Sequence, residues 1–321
     1  PVSPGKVLFL ENKESELPES FQVMWSRLSD TPGLTLEFVS LGETHVRLRR
    51  YYQNCIAFAK NVATAQYVFL HGCGAFKKWG MSTADLIFGG SREEILRHPF
   101  YKNLSLVTVS SPEVVWAYEE AMVLQDEPGI VQSTGVSRTD VFFDDDYLAA
   151  SRSKIQRLAP AATEKKVIVY APTFRGRVAQ AEGPNALDLA KMKALLGDSH
   201  VLLIKHHPFV KDRPAVPEEC AEFAFDVSDK AGINELLCGA DLVISDYSSL
   251  VFEYSLFERP MSFFAYDRED YADWRGFYYE YEELAPGPIC ETTEEVIEQI
   301  RLAGAIWSND YRSRIAKSRF V

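Results

Sequence analysis

No stretch of this chain approaches the run of about 20 apolar residues that crosses a bilayer, so a membrane-embedded protein is not expected. Cysteine is sparse: Cys55, Cys73, Cys220, Cys238 and Cys290 are odd in number and never in C-x-x-C spacing, which argues against a disulfide framework or a zinc site. Basic residues are outnumbered, 34 Lys and Arg against 46 Asp and Glu, for a net charge of −12. Wholesale nucleic-acid binding is thereby disfavoured, while a local basic cleft for an anionic ligand is not. The opening "PVSPGKVLFLEN" has no basic, then apolar, then small-residue pattern of a secretory leader, so a cytoplasmic protein is expected. Two loop signatures are also missing. The dinucleotide pattern G-x-G-x-x-G fails in "HGCGAFKKWG" because Lys77 stands where the third glycine belongs, and no G-x-S-x-G nucleophile elbow occurs anywhere.

What is present is a globular chain of 321 residues, 46% hydrophobic and 25% charged, long enough for two domains with their own cores. Apolar runs of strand length alternate with helix-period segments: "KVLFLE", "SFQVMWSRLSD", "LTLEFVSL", "HVRLRRYYQNCIAFAKNVATA", "YVFLHG", "SLVTVSS", "PEVVWAYEEAM" and "GIVQSTG". The alternation predicts a parallel sheet covered on both faces. After "FFDDDY" it restarts with "KKVIVYAPTF", a helix from about Ala186 to Leu196, "HVLLIKHHP", "AEFAFDV", "GINELLCGA", "DLVISDYSS" and "PMSFFAY". We therefore expect two Rossmann-like, doubly wound halves, residues 1–143 and 144–321, with ligands bound at the carboxyl ends of the strands in the cleft between them. Asp144 to Asp146 are read as the cap of the following helix rather than as a metal site. No metal is expected.

Four segments carry polar groups to strand ends. In "ADLVISDYSSLVF" a buried strand ends at Asp246, and Ser248 and Ser249 precede an apolar helix; they form an anion site or simply cap that helix. "HVLLIKHHPF" delivers His206 and His207 to a strand end with Lys205 beside them, whereas His98-Pro99 follows a helix-like segment and is set aside. "VIVYAPTFRG" ends with Thr173 and Arg175, a hydroxyl and a fork-shaped cation suited to phosphate oxygens. "DWRGFYYEYEELAPGP" combines Arg275 with aromatic residues that serve either packing or substrate contact. In the first half, His71 follows "YVFL", with Lys77 and Lys78 expected one or two helical turns later. A base beside cations suits an alcohol that carries phosphates. The basic C-terminal stretch "RSRIAKSRF" is either a solvated helix face, the reading preferred here, or a contact with an anionic membrane.

"LHGCGAFKKWG", "TGVSRTDVFFD", "YAPTFRG", "KHHP", "ADLVISDYSSLVFEYSLFERPMSFFAYDREDY" and "RGFYYEYEELAPGP" resemble, in order, motifs of the CDP-glycerol glycerophosphotransferase family, over about residues 67 to 300. The resemblance implies a GT-B fold, a CDP-activated donor on the C-terminal half and a polyol-phosphate acceptor chain on the N-terminal half. It also implies peripheral association with the inner face of the membrane. Carried over by motif, His71 is the catalytic base. By the same carry-over His207, Ser248 and Ser249 hold the donor phosphates; from the reading of the residues themselves Thr173 and Arg175, with Asp246, are assigned to the donor as well, and Lys77, Lys78 and Arg275 to the acceptor. CDP-glycerol or CDP-ribitol would be the substrate and CMP the product, without a cofactor. Cys73 and Gly74 depart from the glycerol pattern, so the polyol stays open. The alternatives are a GT-B glycosyltransferase using a CMP- or UDP-sugar, and a non-catalytic polymer-binding module.

Overall fold

The structure is a computed structural model that describes residues 3–11, 16–40, 67–70, 76–84, 86–87, 89–97, 104, 106–177 and 180–306. The chain divides into two compact units, residues 1–73 with 137–143, and residues 74–136 with 144–321.

The first unit is built on three parallel strands in the order β2-β1-β3, with β1 at Lys6–Glu11, β2 at Thr35–Ser40 and β3 at Tyr67–Leu70. "KVLFLE" alternates across the pleat, and Val7 and Phe9 are buried against helix α1 (Glu19–Ser29). The Phe9 ring meets Phe21 and Trp25, each at 5.2 Å between centroids. A 3-10 segment, Ser137–Phe143, joins this unit, and Asp140 takes an ion pair from Arg27 of α1 at 2.9 Å. The long helix expected around residues 45–65 lies outside the described residues.

The second unit carries a six-stranded, wholly parallel sheet in the order β11-β10-β9-β6-β7-β8. Its strands are β6 (Lys166–Tyr170), β7 (His200–Ile204), β8 (Ala224–Asp226), β9 (Leu242–Ser245), β10 (Met261–Phe264) and β11 (Ile289–Cys290). Read from β8 across, the strands rank 3-2-1-4-5-6 in chain order, the dinucleotide-fold arrangement, whose switch point lies between the first and fourth strands. Here those strands are β6 and β9. The near-continuous apolar runs "KVIVY" and "LVIS" follow from a sheet buried on both faces. On one face Ile168, Leu202, Ile244 and Phe264 pack against Met192, Leu196, Val296, Ile297 and Ile300, each such side chain contributing about 1.5–3 kcal/mol by leaving water.

Asp144 caps the helix Asp145–Leu158 as expected, its carboxylate accepting the Asp146 and Tyr147 N–H groups, both at 3.0 Å. The helix anticipated from about Ala186 begins later, at Leu189, where Asp188 caps it by accepting the Lys191 N–H at 2.9 Å. β4 (Val107–Val109) and β5 (Val131–Ser133) pair with each other in a separate two-stranded parallel sheet, and among the described residues they share no ladder with β3. They group with the second unit, on the other side of the boundary expected near Phe143.

Candidate functional site

Three adjacent strands, β9, β6 and β7, deliver polar residues to one edge of the sheet, because parallel strands end on the same side. Thr173 follows β6, His207 follows β7, and Asp246, Ser248 and Ser249 follow β9. The Thr173 side chain is 4% exposed, and its Oγ1 has no hydrogen-bond partner. A buried hydroxyl left unpaired costs about 1–3 kcal/mol unless a ligand or water completes it. Ser249 occupies the position before the short helix Leu250–Tyr254 but makes no side-chain cap, and Ser248 Oγ receives the Leu250 N–H only at 3.5 Å. Of the two roles open to this pair, capping is thus scarcely used.

Asp246 ties the two sides of the switch point together. Its carboxylate is 2% exposed. Oδ1 accepts the Thr173 N–H at 2.8 Å and the Tyr247 N–H at 2.7 Å, while Oδ2 accepts Arg175 Nη1 at 3.0 Å. The loop after β6 and the loop after β9 are therefore held at a set spacing by one side chain. Arg175 is held in turn: Nη1 also donates to the Thr173 carbonyl at 2.7 Å, and Nε and Nη2 reach Asp267 at 2.5 and 2.9 Å. Four of the five guanidinium N–H donors are engaged this way. The expectation that the fork of Arg175 faces phosphate oxygens gives way to a bracket that faces carboxylates. Burial pulls its pKa down, but Asp246 and the Asp267 bonds prevail and raise it, so it stays charged. Tyr247 and Tyr271 stack at 4.0 Å, and the guanidinium carbon lies 5.0 and 5.2 Å from their centroids. Tyr247 donates its hydroxyl to Asp267 at 2.8 Å, and Tyr281 donates to the Asp246 carbonyl at 2.8 Å.

The two histidines of "KHHP" diverge. His206 turns inward, 4% exposed, with its backbone N–H donated to Ser228 Oγ at 2.9 Å and its Nδ1 without a hydrogen-bond partner; burial lowers its pKa. His207 is half-buried at the strand edge, its ring 4.9 Å from Phe174 and 4.5 Å from Phe209. Lys205 turns away from the edge and donates Nζ to the carbonyls of Ser228 and Ala231 at 2.6 and 2.7 Å.

His71, with Gly72, Cys73 and Gly74, lies outside the described residues, as do His98 and the basic tail. Lys77 and Lys78 do not lie on a helix. Lys77 bridges antiparallel to Phe277, the Lys78 N–H donates to the Gly276 carbonyl at 3.1 Å, and Arg275 Nε donates to the Lys78 carbonyl at 3.3 Å. Phe76 anchors this short ladder, fully buried among Phe252, Phe277 and Tyr281. The ladder brings Lys77, Lys78 and Arg275 together. Burial and the Arg275 charge push the Lys77 pKa down to about 7 against the opposing pull of Asp246. Sequence reasoning missed Asp267 and the tyrosines around Arg175; Asp267 ends "SFFAYD" just after β10, and the strand-end rule applied to that strand would have found it.

The chain matches the family model described as CDP-Glycerol:Poly(glycerophosphate) glycerophosphotransferase over residues 50–320. It is 32% identical to the teichoic acid poly(ribitol-phosphate) polymerase of Bacillus spizizenii, over 94% of this chain and 51% of that protein. It is 30% identical to the teichoic acid ribitol-phosphate primase of the same organism, over 94% and 83%. The chain thus spans about half the length of the polymerase and most of the primase. The solved structure of the wall teichoic acid polymerase TagF superposes with a TM-score of 0.79 at 21% identity, covering 99% of this chain and 85% of that one. A UDP-GlcNAc 2-epimerase from Methanocaldococcus jannaschii aligns at a TM-score of 0.51 and 11% identity, covering 98% and 99%. The fold is α/β of the GT-B class.

Proposed function

We propose a reaction for this chain from the fact that it belongs to the CDP-glycerol:poly(glycerophosphate) glycerophosphotransferase family. The reaction is transfer of a polyol phosphate from a CDP-polyol to a terminal hydroxyl of a polyol-phosphate acceptor chain. The observation that supports it best is the buried Thr173 hydroxyl without a partner, beside Asp246 at the switch point where such sheets bind nucleotides. Thr173 Oγ1, Ser248, Ser249 and His207 would hold the diphosphate, while Arg175, Asp246 and Asp267 set the spacing of their loops. Lys77, Lys78 and Arg275 supply the positive charge for phosphates of the acceptor.

In the proposed step, His71 takes the proton of the acceptor hydroxyl and the oxygen attacks the polyol-linked phosphorus. The bond from that phosphorus to the CMP oxygen breaks, and CMP leaves with the electron pair. Donors aimed at the diphosphate offset its growing charge, which is the main task of a protein in phosphoryl transfer. The scheme is written without a metal or cofactor. CDP-ribitol is the donor to test first, because the two relatives aligned over 94% of the chain carry ribitol phosphate in their names. We place the chain at the cytoplasmic face of the membrane, where a nucleotide-activated donor and a lipid-linked acceptor would meet.

The test is His71→Ala. Transfer should be abolished, with CMP and CDP-polyol still raising the melting temperature as ligands of the folded state do. Near-normal turnover of that variant, or a glycosidic bond in the product in place of a new phosphodiester, would sink this assignment.

A further inference from the structure

Lys77 bridges antiparallel to Phe277, whose ring lies 5.6 Å from Tyr247 and 5.9 Å from Tyr271, the two rings that flank Arg175. The bridge thus sets a half-buried lysine beside the switch-point network. Among the described residues its Nζ makes no hydrogen bond and no ion pair. Charged groups act on it from three other segments: Arg275 at the end of the helix Arg268–Arg275, Arg175 after β6 and Asp246 after β9. Two of the three are cations, and Lys78 follows in the same strand. Asp246 is the carboxylate of the set, and its oxygens already accept the Thr173 and Tyr247 N–H groups and Arg175 Nη1. Tyr271 and Tyr278, which act on Arg275, are kept neutral by their own burial. An ammonium brought out of water into such surroundings needs a bonded partner, and without one it gives up its proton. Burial and Arg275 accordingly bring the Lys77 pKa down to about 7.

We infer that Lys77 stands as a neutral amine in the free chain and becomes an ammonium when a phosphate anion of the substrate comes to lie against it, so that binding draws a proton from solution. The identity of the anion rests on the polyol-phosphate reading above. An anion within about 4–6 Å favours the charged form of the amine, the reverse of what Arg275 does in the free chain. Repulsion between Lys77 and Arg275 is thereby spared until a negative group arrives to offset it. The phosphates of a CDP-polyol, or of a polyol-phosphate chain, are diesters with no proton to trade near neutral pH. A proton taken up on binding must therefore reside on the protein.

The test is calorimetric titration of the full chain in pairs of buffers with unlike ionisation enthalpies, at pH 6 and pH 8. The probes are CDP-ribitol and CDP-glycerol for the donor and a short poly(ribitol phosphate) oligomer for the acceptor. CMP is avoided because a phosphate monoester titrates near pH 6, at about the value of a phosphorylated side chain. Binding should take up about 0.9 proton at pH 8 and about 0.1 at pH 6. The wild-type Kd should rise about tenfold for each pH unit above 8. Lys77→Arg, which keeps its charge throughout, should bind with no uptake and a flat Kd, and Lys77→Met should also bind without uptake. Uptake with the CDP-polyols sets the donor diphosphate against Lys77, and uptake with the oligomer alone sets the acceptor chain there; either supports the inference. Wild-type binding that draws no proton at pH 8, or uptake that persists in K77M, overturns it and leaves the site standing. If no probe binds, the site proposed above falls and the inference with it.

Discussion

Asp267 receives Arg175 through two bonds, from Nε at 2.5 Å and from Nη2 at 2.9 Å, and so fixes from the end of β10 the cation that Asp246 engages from the end of β9. The loops after three strands meet in this one guanidinium. Removing one partner of such a half-buried set leaves the other charge without its match.

Asp267→Asn should lower the stability of the second unit by about 2–4 kcal/mol and raise the donor KM, because Arg175 and the Tyr247 hydroxyl lose the charged carboxylate that fixes them. Urea unfolding followed by tryptophan fluorescence reads the first effect and initial rates the second. An unchanged midpoint would show that the network contributes nothing to folding.

Thr173→Val tests the orphaned hydroxyl. Since Oγ1 makes no hydrogen bond in the folded chain, its replacement by a methyl should leave stability unchanged or raise it by about 1 kcal/mol. The donor KM should rise by about tenfold. A clear loss of stability with unaltered KM would make Thr173 a packing residue.

Lys77 should leave a signature in the pH dependence of stability. Its pKa is pushed down to about 7 by burial and by Arg275, against about 10.4 in an unfolded chain. Between those values the unfolded chain holds a proton that the folded chain lacks, so stability rises with pH across the window. Below about pH 7 both states are charged, and the cost of burying the ammonium is fully present. Lys77→Met should therefore stabilise most near pH 6 and progressively less toward pH 10. Parallel curves for variant and wild type would acquit Lys77.

Gly276 ends the helix Arg268–Arg275 at φ 77° and ψ 158°, a region nearly closed to residues with a side chain. A Cβ there would also come within 3.1 Å of the Lys78 side chain and 3.2 Å of Leu86. Gly276→Ala should cost about 1–3 kcal/mol and loosen the ladder that carries Lys77 and Lys78, seen as faster amide exchange at Lys78. Wild-type exchange protection in that variant would mean the ladder does not depend on the glycine.

The parallel strands of the second unit were legible in the sequence because a sheet buried on both faces demands unbroken apolar runs, as in "KVIVY" and "LVIS". The Asp144 cap was legible for a similar local reason. Lys77 and Lys78 were misjudged as helical because the partner strand that makes them extended, residues 276–278, lies about two hundred positions away. Arg175 was judged by what its fork can bind; the carboxylates that occupy it, Asp246 and Asp267, come 71 and 92 residues later.

Sequence by itself determined the alternation that makes this an α/β chain, the strand ends that carry Thr173, His207 and Ser248, and the motifs shared with its family. Those are local properties, written in periodicity and in turn-forming residues. The tertiary structure alone decided which of these groups are committed and which are left to act. Arg175 is satisfied by Asp246 and Asp267, while Thr173 Oγ1 is left without a partner. Hydrogen-bond satisfaction inside a fold depends on partners brought together from distant positions, and no reading of one segment contains them.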